Sequence, residues 1–264
     1  MQKAVEYAEE LQRDRPALYA ALDRKLGLTE LLPRWKEALP RVFLTRPNEN
    51  GVLPQDSTYL TLPDVDLTKY RNQAFVGGIY EDYNQEQIIR MQVTKQADVM
   101  MLFCLLEEQF LESVKKASWD YYEPRTLHDS SLSLSTHCVL ACDIGDLRLA
   151  YEMFEKACRI DLSNDDPHSS DAGIHAASLG GLWQCVTYGF GGLRMIGGRL
   201  RVNPRLPEKW NRLSYCFCWR GQRLRVDATK ERVTVTNETG TAPVELELCG
   251  RRICLTDRAS AAAV

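Results

Sequence analysis

Two polar stretches hold most of the side chains able to do chemistry. The first is WDYYEPRTLHDSSLS, from Trp119 to Ser133, and the second is SSDAGIHAASLGG, from Ser169 to Gly181. Both put carboxylates, hydroxyls and a histidine at the mouths of apolar helices, and the first adds aromatics. All four histidines, His128, His137, His168 and His175, lie inside or between them. That mixture suits a sugar or an oxyanion. His128, Ser130 and Ser131 sit at a predicted helix start, where unpaired backbone N–H groups and the helix dipole favour phosphate. His175, in the first turn of another predicted helix, offers a further donor. Simple capping by Ser130 with a buried, hydrogen-bonded histidine accounts for the same residues, and their types alone do not decide between the two.

Other candidates have plainer alternatives. Lys95 and Gln96 open an apolar helical pattern and can hold sugar hydroxyls through several oriented donors, although spacing alone favours a solvated first turn. Trp119, Tyr121 and Tyr122 can form a platform for a sugar face or can fill a core, the commoner use of aromatics at a helix end. Asp120, Glu123 and Asp129 are the acids available for glycoside chemistry, which uses paired carboxylates. A metal held by His128, Asp129, His137 and His175 lacks the spacing of known ligand motifs. No G-x-S-x-G is present for a serine hydrolase. The glycines of Gly189–Gly192 follow a helix and lack dinucleotide-binding spacing, so they read as a joint.

The elements that must position these residues change character along the chain. Up to about residue 190 the apolar period is helical, with candidates over Gln2–Lys25, Thr29–Ala38, Gln85–Met91, Lys95–Gln109, Glu112–Tyr121, Ser131–Ile144, Leu147–Ile160 and Gly173–Tyr188. Thr94, Ser130 and Asp171 read as caps, and Gly145–Asp146 as a tight interhelical turn. Long polar connections over Arg41–Asn84, Tyr122–Ser130 and Asp161–Asp171 are of a length usually reserved for function. From about residue 193, alternating runs predict strands at Leu200–Val202, Leu213–Trp219, Gln222–Ala228, Arg232–Asn237, Val244–Leu248 and Arg252–Leu255, an antiparallel sandwich ending in a frayed tail from Asp257. The predicted class is mainly α with a β C-terminal domain, divided into 1–192 and 193–264.

The 264 residues allow one large domain or two small ones. A formal net charge of −3 gives no electrostatic case for nucleic acid or an anionic membrane. The longest apolar run, Val99–Leu106, is too short to span a bilayer. Residues 1–15 read as a charged amphipathic helix rather than a signal peptide. With an odd count of nine cysteines and no C-x-x-C pair, the expectation is reduced, packing thiols and a cytoplasmic location.

The segments VTKQADVMMLF, ASWDYYEPRTLHDSSLSLSTH, SSDAGIHAASLGGLWQCVTYGFGGLR and LRVNPRLPEKWNRL occur in the order that resembles the family 65 glycoside hydrolases and phosphorylases. The resemblance runs from about Trp35 to Lys230. It implies the second half of an (α/α)6 barrel followed by a small C-terminal β-sandwich. The implied activity is inverting phosphorolysis of an α-linked glucose disaccharide to β-glucose 1-phosphate, with inorganic phosphate as co-substrate and no cofactor or metal. Phosphate takes the place of an activated water, so no protein base is needed. By position, Lys95 and Gln96 would hold the transferred glucosyl unit, and Ser130, Ser131 and His175 the phosphate. His128 and Arg125 would lie beside the phosphate, and Tyr122 and Glu123 would border the acceptor side. Ala172 stands where many relatives carry an acid, which suits phosphorolysis over hydrolysis. The family's general acid belongs to a motif expected upstream of the matched region, and Tyr80–Tyr83 does not supply it. The chain alone is therefore expected to be inactive, and to work as a homodimer or with a complementing N-terminal half. A family 65 hydrolase and a non-catalytic remnant are the alternatives.

Overall fold

The helical period over Gln2–Lys25 is interrupted by Pro16. A proline ring disfavours helical backbone in the residue before it, and Arg15 leaves the helix at φ −142°, ψ 62°. Two helices result, Gln2–Asp14 (α1) and Pro16–Leu26 (α2), followed after a left-handed Gly27 by Leu28–Ala38 (α3). Val5, Ala8, Tyr19, Leu28 and Leu32 form a core of their own. The computed structural model describes residues 1–263 except 72, 74, 97, 164, 165 and 172. Its chain divides into two compact units, Met1–Arg46 and Pro47–Val264. The joint expected near residue 192 therefore lies inside the second unit.

Within that unit, most of the polar connection expected over Arg41–Asn84 is folded. Short helical turns occupy Tyr59–Thr61, Thr68–Arg71 (α4) and Gly78–Glu81. Val52, Leu53 and Tyr59 enter the main core, while Leu67, Tyr70 and Ile79 enclose Leu127. The main-chain polar groups go with them: Leu53 N–H donates to Ser118 Oγ (3.0 Å) and Leu53 O accepts from the Tyr122 hydroxyl (2.9 Å). Buried backbone groups need such partners.

Gln85–Ile88 (α5), Asp98–Leu105 (α6), Glu112–Tyr122 (α7), Ser133–Ile144 (α8), Leu147–Ala157 (α9) and Ala176–Gln184 (α10) complete the helices. Nine of the residues of α8 are buried, which makes it the central element, with α6, α7, α9 and α10 packed around it. Gly145, at φ 87°, and Asp146, whose carboxylate accepts from Leu149 N–H, make the expected turn between α8 and α9. The expected caps fare differently. Ser130 ends in a turn before α8, Thr94 forms a β-bridge with Thr126, and α10 starts after His175 rather than after Asp171. Lys95 and Gln96 precede α6 rather than opening it.

The strands are Leu193–Ile196 (β1), Arg199–Val202 (β2), Arg212–Trp219 (β3), Gln222–Thr229 (β4), Arg232–Asn237 (β5), Val244–Leu248 (β6), Arg251–Leu255 (β7) and Arg258–Ala262 (β8). They form two four-stranded sheets, β1-β2-β6-β7 and β3-β4-β5-β8. One shared core takes Leu200, Val202, Leu246 and Leu248 from the first and Leu224, Val226, Val233 and Val235 from the second. Pairing is antiparallel except between β2 and β6. The expected frayed tail is instead the edge strand β8, with Ser260 Oγ 2.9 Å from Thr234 Oγ1. Its small residues carry little strand propensity, so pairing with β5 had to supply the order.

Buried charge joins helices to strands. Arg194 on β1 pairs with Asp143 at the end of α8 (2.8 Å) and with Glu107 (3.1 Å), and Arg201 on β2 reaches Glu107 (2.5 Å). At the bend before them, a Cβ on Gly192 would lie 2.0 Å from Asn203 O, so only glycine fits. Arg194→Met leaves Asp143 without its ion-pair partner, and losing one member of a buried pair costs about 3–5 kcal/mol. Urea unfolding is expected to show a loss of that size, with partial recovery in the double variant Arg194→Met/Asp143→Asn.

Candidate active site

The site grows from the end of α7. Pro124 sits in a single helical turn over Glu123–Arg125, after which Thr126 bridges to Thr94. Thr94 N–H donates to Arg125 O (2.9 Å), Leu127 N–H donates to Thr94 O (2.8 Å), and the two threonine hydroxyls lie 2.9 Å apart. This bridge brings Lys95 and Gln96, both exposed, alongside the Leu127–Asp129 segment. His128 then adopts φ 59°, unusual for a residue with a Cβ. Its ring reaches back to Glu123.

Glu123 is the hub. Its Oε1 accepts from Arg71 Nη2 of α4 (2.7 Å) and lies 3.2 Å from His128 Nε2, and its Oε2 lies 2.6 Å from His137 Nδ1 of α8. A carboxylate only accepts, so His128 carries its proton on Nε2 and its Nδ1 accepts from the Ser133 hydroxyl (2.9 Å). Burial pushes the Glu123 carboxyl up, but the hydrogen bonds from His128 and His137 outweigh it and hold it well below the usual carboxylate range. Burial lowers His128 to about 4 despite its bond to Glu123, so its ring is neutral at pH 7. Glu123, His128 and His137 offer ligand-type atoms within 4.8 Å of one another. That set differs from the metal candidates taken from sequence. Arg71 is paired with Oε1 of the same carboxylate, and the two histidines complete a hydrogen-bond network around it.

A second histidine assembly forms at the start of α10. His175 N–H donates to Asp161 Oδ2 (2.6 Å), and His175 Nδ1 lies 2.8 Å from Asp161 Oδ1. One turn further on, Ser178 Oγ donates to Ser131 O (3.1 Å). The start of α10 is thereby tied to the turn that precedes α8. In that turn Ser130 Oγ accepts from Leu132 N–H (3.3 Å), and Ser130 O accepts from Ser133 N–H (3.0 Å). The contact is made by Ser178 and the carbonyl of Ser131, while His175 is engaged by Asp161 and Ser130 by its own turn.

A cleft of about 1160 Å³ is lined among others by Arg71, Arg125, His128, Asp129, Lys156 and Arg159. Of the residues singled out from sequence, Arg125, His128, Asp129 and His168 line it, whereas Lys95, Gln96, Ser130, Ser131 and His175 do not. Tyr122 does not border any acceptor: it is fully buried and its hydroxyl is spent on Leu53 O. Glu123 is likewise turned inward to its three partners. Arg125 is engaged by Asp64 (2.5 Å), Tyr121 O (2.8 Å) and the face of the Tyr121 ring, which leaves it little freedom to bind phosphate. Ala172 lies outside the described residues. Arg71, His137 and Asp161 were not singled out from sequence for these roles, because nothing local marks them: their partners are 52, 14 and 14 residues away.

The model "Glycosyl hydrolase family 65 central catalytic domain" matches residues 1–184, and "Glycosyl hydrolase family 65, C-terminal domain" matches 193–255. The chain belongs to glycosyl hydrolase family 65. Within family 65 it is 40% identical over 237 residues to kojibiose phosphorylase of Halothermothrix orenii, covering 89% of this chain and 30% of that protein. It is 35% identical to α,α-trehalose phosphorylase of Thermoanaerobacter brockii, covering 97% of this chain and 33% of that protein. A solved structure from the human microbiome, provisionally described as a kojibiose phosphorylase, superposes with a TM-score of 0.83 at 28% identity, over 98% of this chain and 36% of that one. The chain spans about a third of the length of the curated relatives it matches.

The Glu123 cluster makes stability depend on pH with a definite sign. His128 is lowered on folding, from its ordinary 6.5 to about 4, so the unfolded chain binds the extra proton between those values and acid favours unfolding. Glu123, also lowered, adds loss in the same direction below its ordinary value. Melting temperature is expected to fall as pH drops from about 6.5 to about 4. His128→Gln should flatten that dependence, read by thermal unfolding across the range.

Proposed function

We propose that this chain carries the phosphate- and glucosyl-binding side of a disaccharide phosphorylase. The supporting observation is the tie between the serine turn at the approach to α8 and the first turn of α10, made by Ser178 Oγ donating to Ser131 O (3.1 Å). Helix N-termini favour anions, and the chain's relatives include kojibiose, trehalose and nigerose phosphorylases. In this reading inorganic phosphate, held by Ser130, Ser131 and His175, attacks the anomeric carbon of an α-linked glucose disaccharide. The glycosidic oxygen leaves with a proton, and β-glucose 1-phosphate forms by inversion. Lys95 and Gln96, placed beside the Leu127–Asp129 segment by the Thr94 bridge, hold hydroxyls of the glucosyl unit.

The Glu123 cluster has a supporting part. With its three partners it keeps the Glu123–Asp129 segment in one shape, and neutral His128 sits at the cleft wall without adding charge. The proton donor is assigned to polypeptide outside these 264 residues, because no motif for it was found within them. The helices α6–α10 are read as part of an (α/α)6 barrel and the two sheets as a small sandwich.

The test is release of glucose 1-phosphate from kojibiose, trehalose, nigerose and maltose by the 264-residue chain complemented with the remaining part of the Halothermothrix orenii enzyme. Product is expected only with phosphate present. Ser131→Ala and His175→Ala should each raise KM for phosphate roughly ten- to hundredfold, the size of one charge-assisted hydrogen bond. Phosphate-independent release of free glucose would instead identify a hydrolase.

A further inference from the structure

We infer that Asp161 is a positioning residue for phosphate capture, acting only through His175; this rests on the reading of His175 as a phosphate ligand. The carboxylate holds the histidine at two points. Its Oδ2 takes the backbone N–H of His175 (2.6 Å) and its Oδ1 takes the ring at Nδ1 (2.8 Å). Since a carboxylate only accepts, the ring proton sits on Nδ1, and Nε2 is the single ring nitrogen left for a ligand. Neither tautomer nor ring orientation is then free to vary.

Asp161 is itself fixed. Its backbone is left-handed, at φ 64°, and its own N–H is satisfied by Ser169 Oγ (3.0 Å). The carboxylate is 10% exposed, whereas the imidazole it holds is 33% exposed and so remains open to a ligand. The ring and backbone hydrogen bonds from His175 hold the Asp161 carboxyl below its ordinary range, so it is ionised throughout neutral pH. With its proton on Nδ1, the ring presents Nε2 as an acceptor for the O–H of hydrogen phosphate.

His175 is the N-cap of α10, yet its side chain does not cap the helix. It is spent on Asp161, fourteen residues back, while the Ala176 N–H donates to Ile174 O and the Ser178 N–H to His175 O. The Ser178–Ser131 bond (3.1 Å) ties the same helix turn to the serines before α8. Asp161 therefore sets where one wall of the anion site stands, without being one of its ligands.

Asp161→Asn tests this with little change in shape, because asparagine tolerates left-handed backbone. Its amide sets an NH2 donor where the carboxylate has its second oxygen, so one of the two His175 N–H groups, which bond to separate oxygens, then faces a donor. The full 264-residue chain, labelled with 15N in its histidines, reports tautomers directly in long-range 1H–15N spectra, and inorganic phosphate is the titrant with sulfate as control. The native chain should show His175 protonated at Nδ1, with its Nε2 resonance moving on phosphate addition. In Asp161→Asn that tautomer signature should be lost and phosphate affinity should fall at least tenfold, while the His128 and His137 signals stay in place. A native His175 protonated at Nε2 overturns the inference before any variant is made. Unchanged phosphate affinity in Asp161→Asn overturns it for Asp161 alone. Absence of phosphate binding by the native chain, with the Nδ1–H tautomer intact, overturns the phosphate reading of His175 and the role of Asp161 with it.

Discussion

A carboxylate removed from water must find donors, and much of the site follows from how Glu123 does so. Its three partners come from three places: Arg71 from the connection before α5, His128 from the turn after α7, and His137 from the middle of α8. Desolvation and hydrogen bonding oppose each other at this group, and hydrogen bonding prevails, since the carboxyl remains ionised well into acid. Satisfying one buried charge therefore ties the connection over residues 47–84, the Glu123–Asp129 segment and the central helix into one arrangement. A network of this kind is costly when incomplete and rigid when complete.

The same problem is resolved differently at the other end of α8. Asp143 is also buried, and there burial prevails over the attraction of Arg194, so its carboxyl is raised above the ordinary range. Arg194 answers two acids at once, and Glu107 answers Arg194, Arg201 and a more distant Lys115. Ion pairing at one end of α8 shapes a cleft, and at the other it fastens the strands. Between them the helix is packed on all sides by Cys138, Val139, Leu140, Ala141 and Cys142.

Two histidines are held by related means. His128 is itself left-handed, whereas His175 is held by a left-handed residue, Asp161. Such backbone costs a non-glycine residue roughly 1–2 kcal/mol, and in both places hydrogen bonds to a carboxylate offset it. The outcomes differ. The ring of His128 is covered and neutral, facing Glu123, while that of His175 keeps one nitrogen open. Glu123 holds His128 together with Arg71 and His137, whereas Asp161 holds His175 through both its backbone N–H and its ring.

The sequence by itself determined the order of the elements. Helical period before residue 190 and alternation after it reflect which faces must be buried, and that is a local property. The Gly145–Asp146 turn, strand β5 at Arg232–Asn237 and strand β6 at Val244–Leu248 fall where local pattern places them. Between the two polar stretches, Ser178 Oγ donates to Ser131 O, and just before the second His168 Nε2 lies 2.9 Å from His128 O. Tertiary structure decided what each residue does. Tyr122 and Arg125 are polar in sequence yet committed within the fold, because a buried hydroxyl and a buried guanidinium take whatever acceptor long-range packing supplies. Strand β8 exists only because β5 offers it a ladder. Arg71 and Asp161 look like ordinary surface charges until the backbone brings Glu123 and His175 to them. A side chain's partner 14 or 52 residues away leaves no local periodic trace, so only the folded chain can name it.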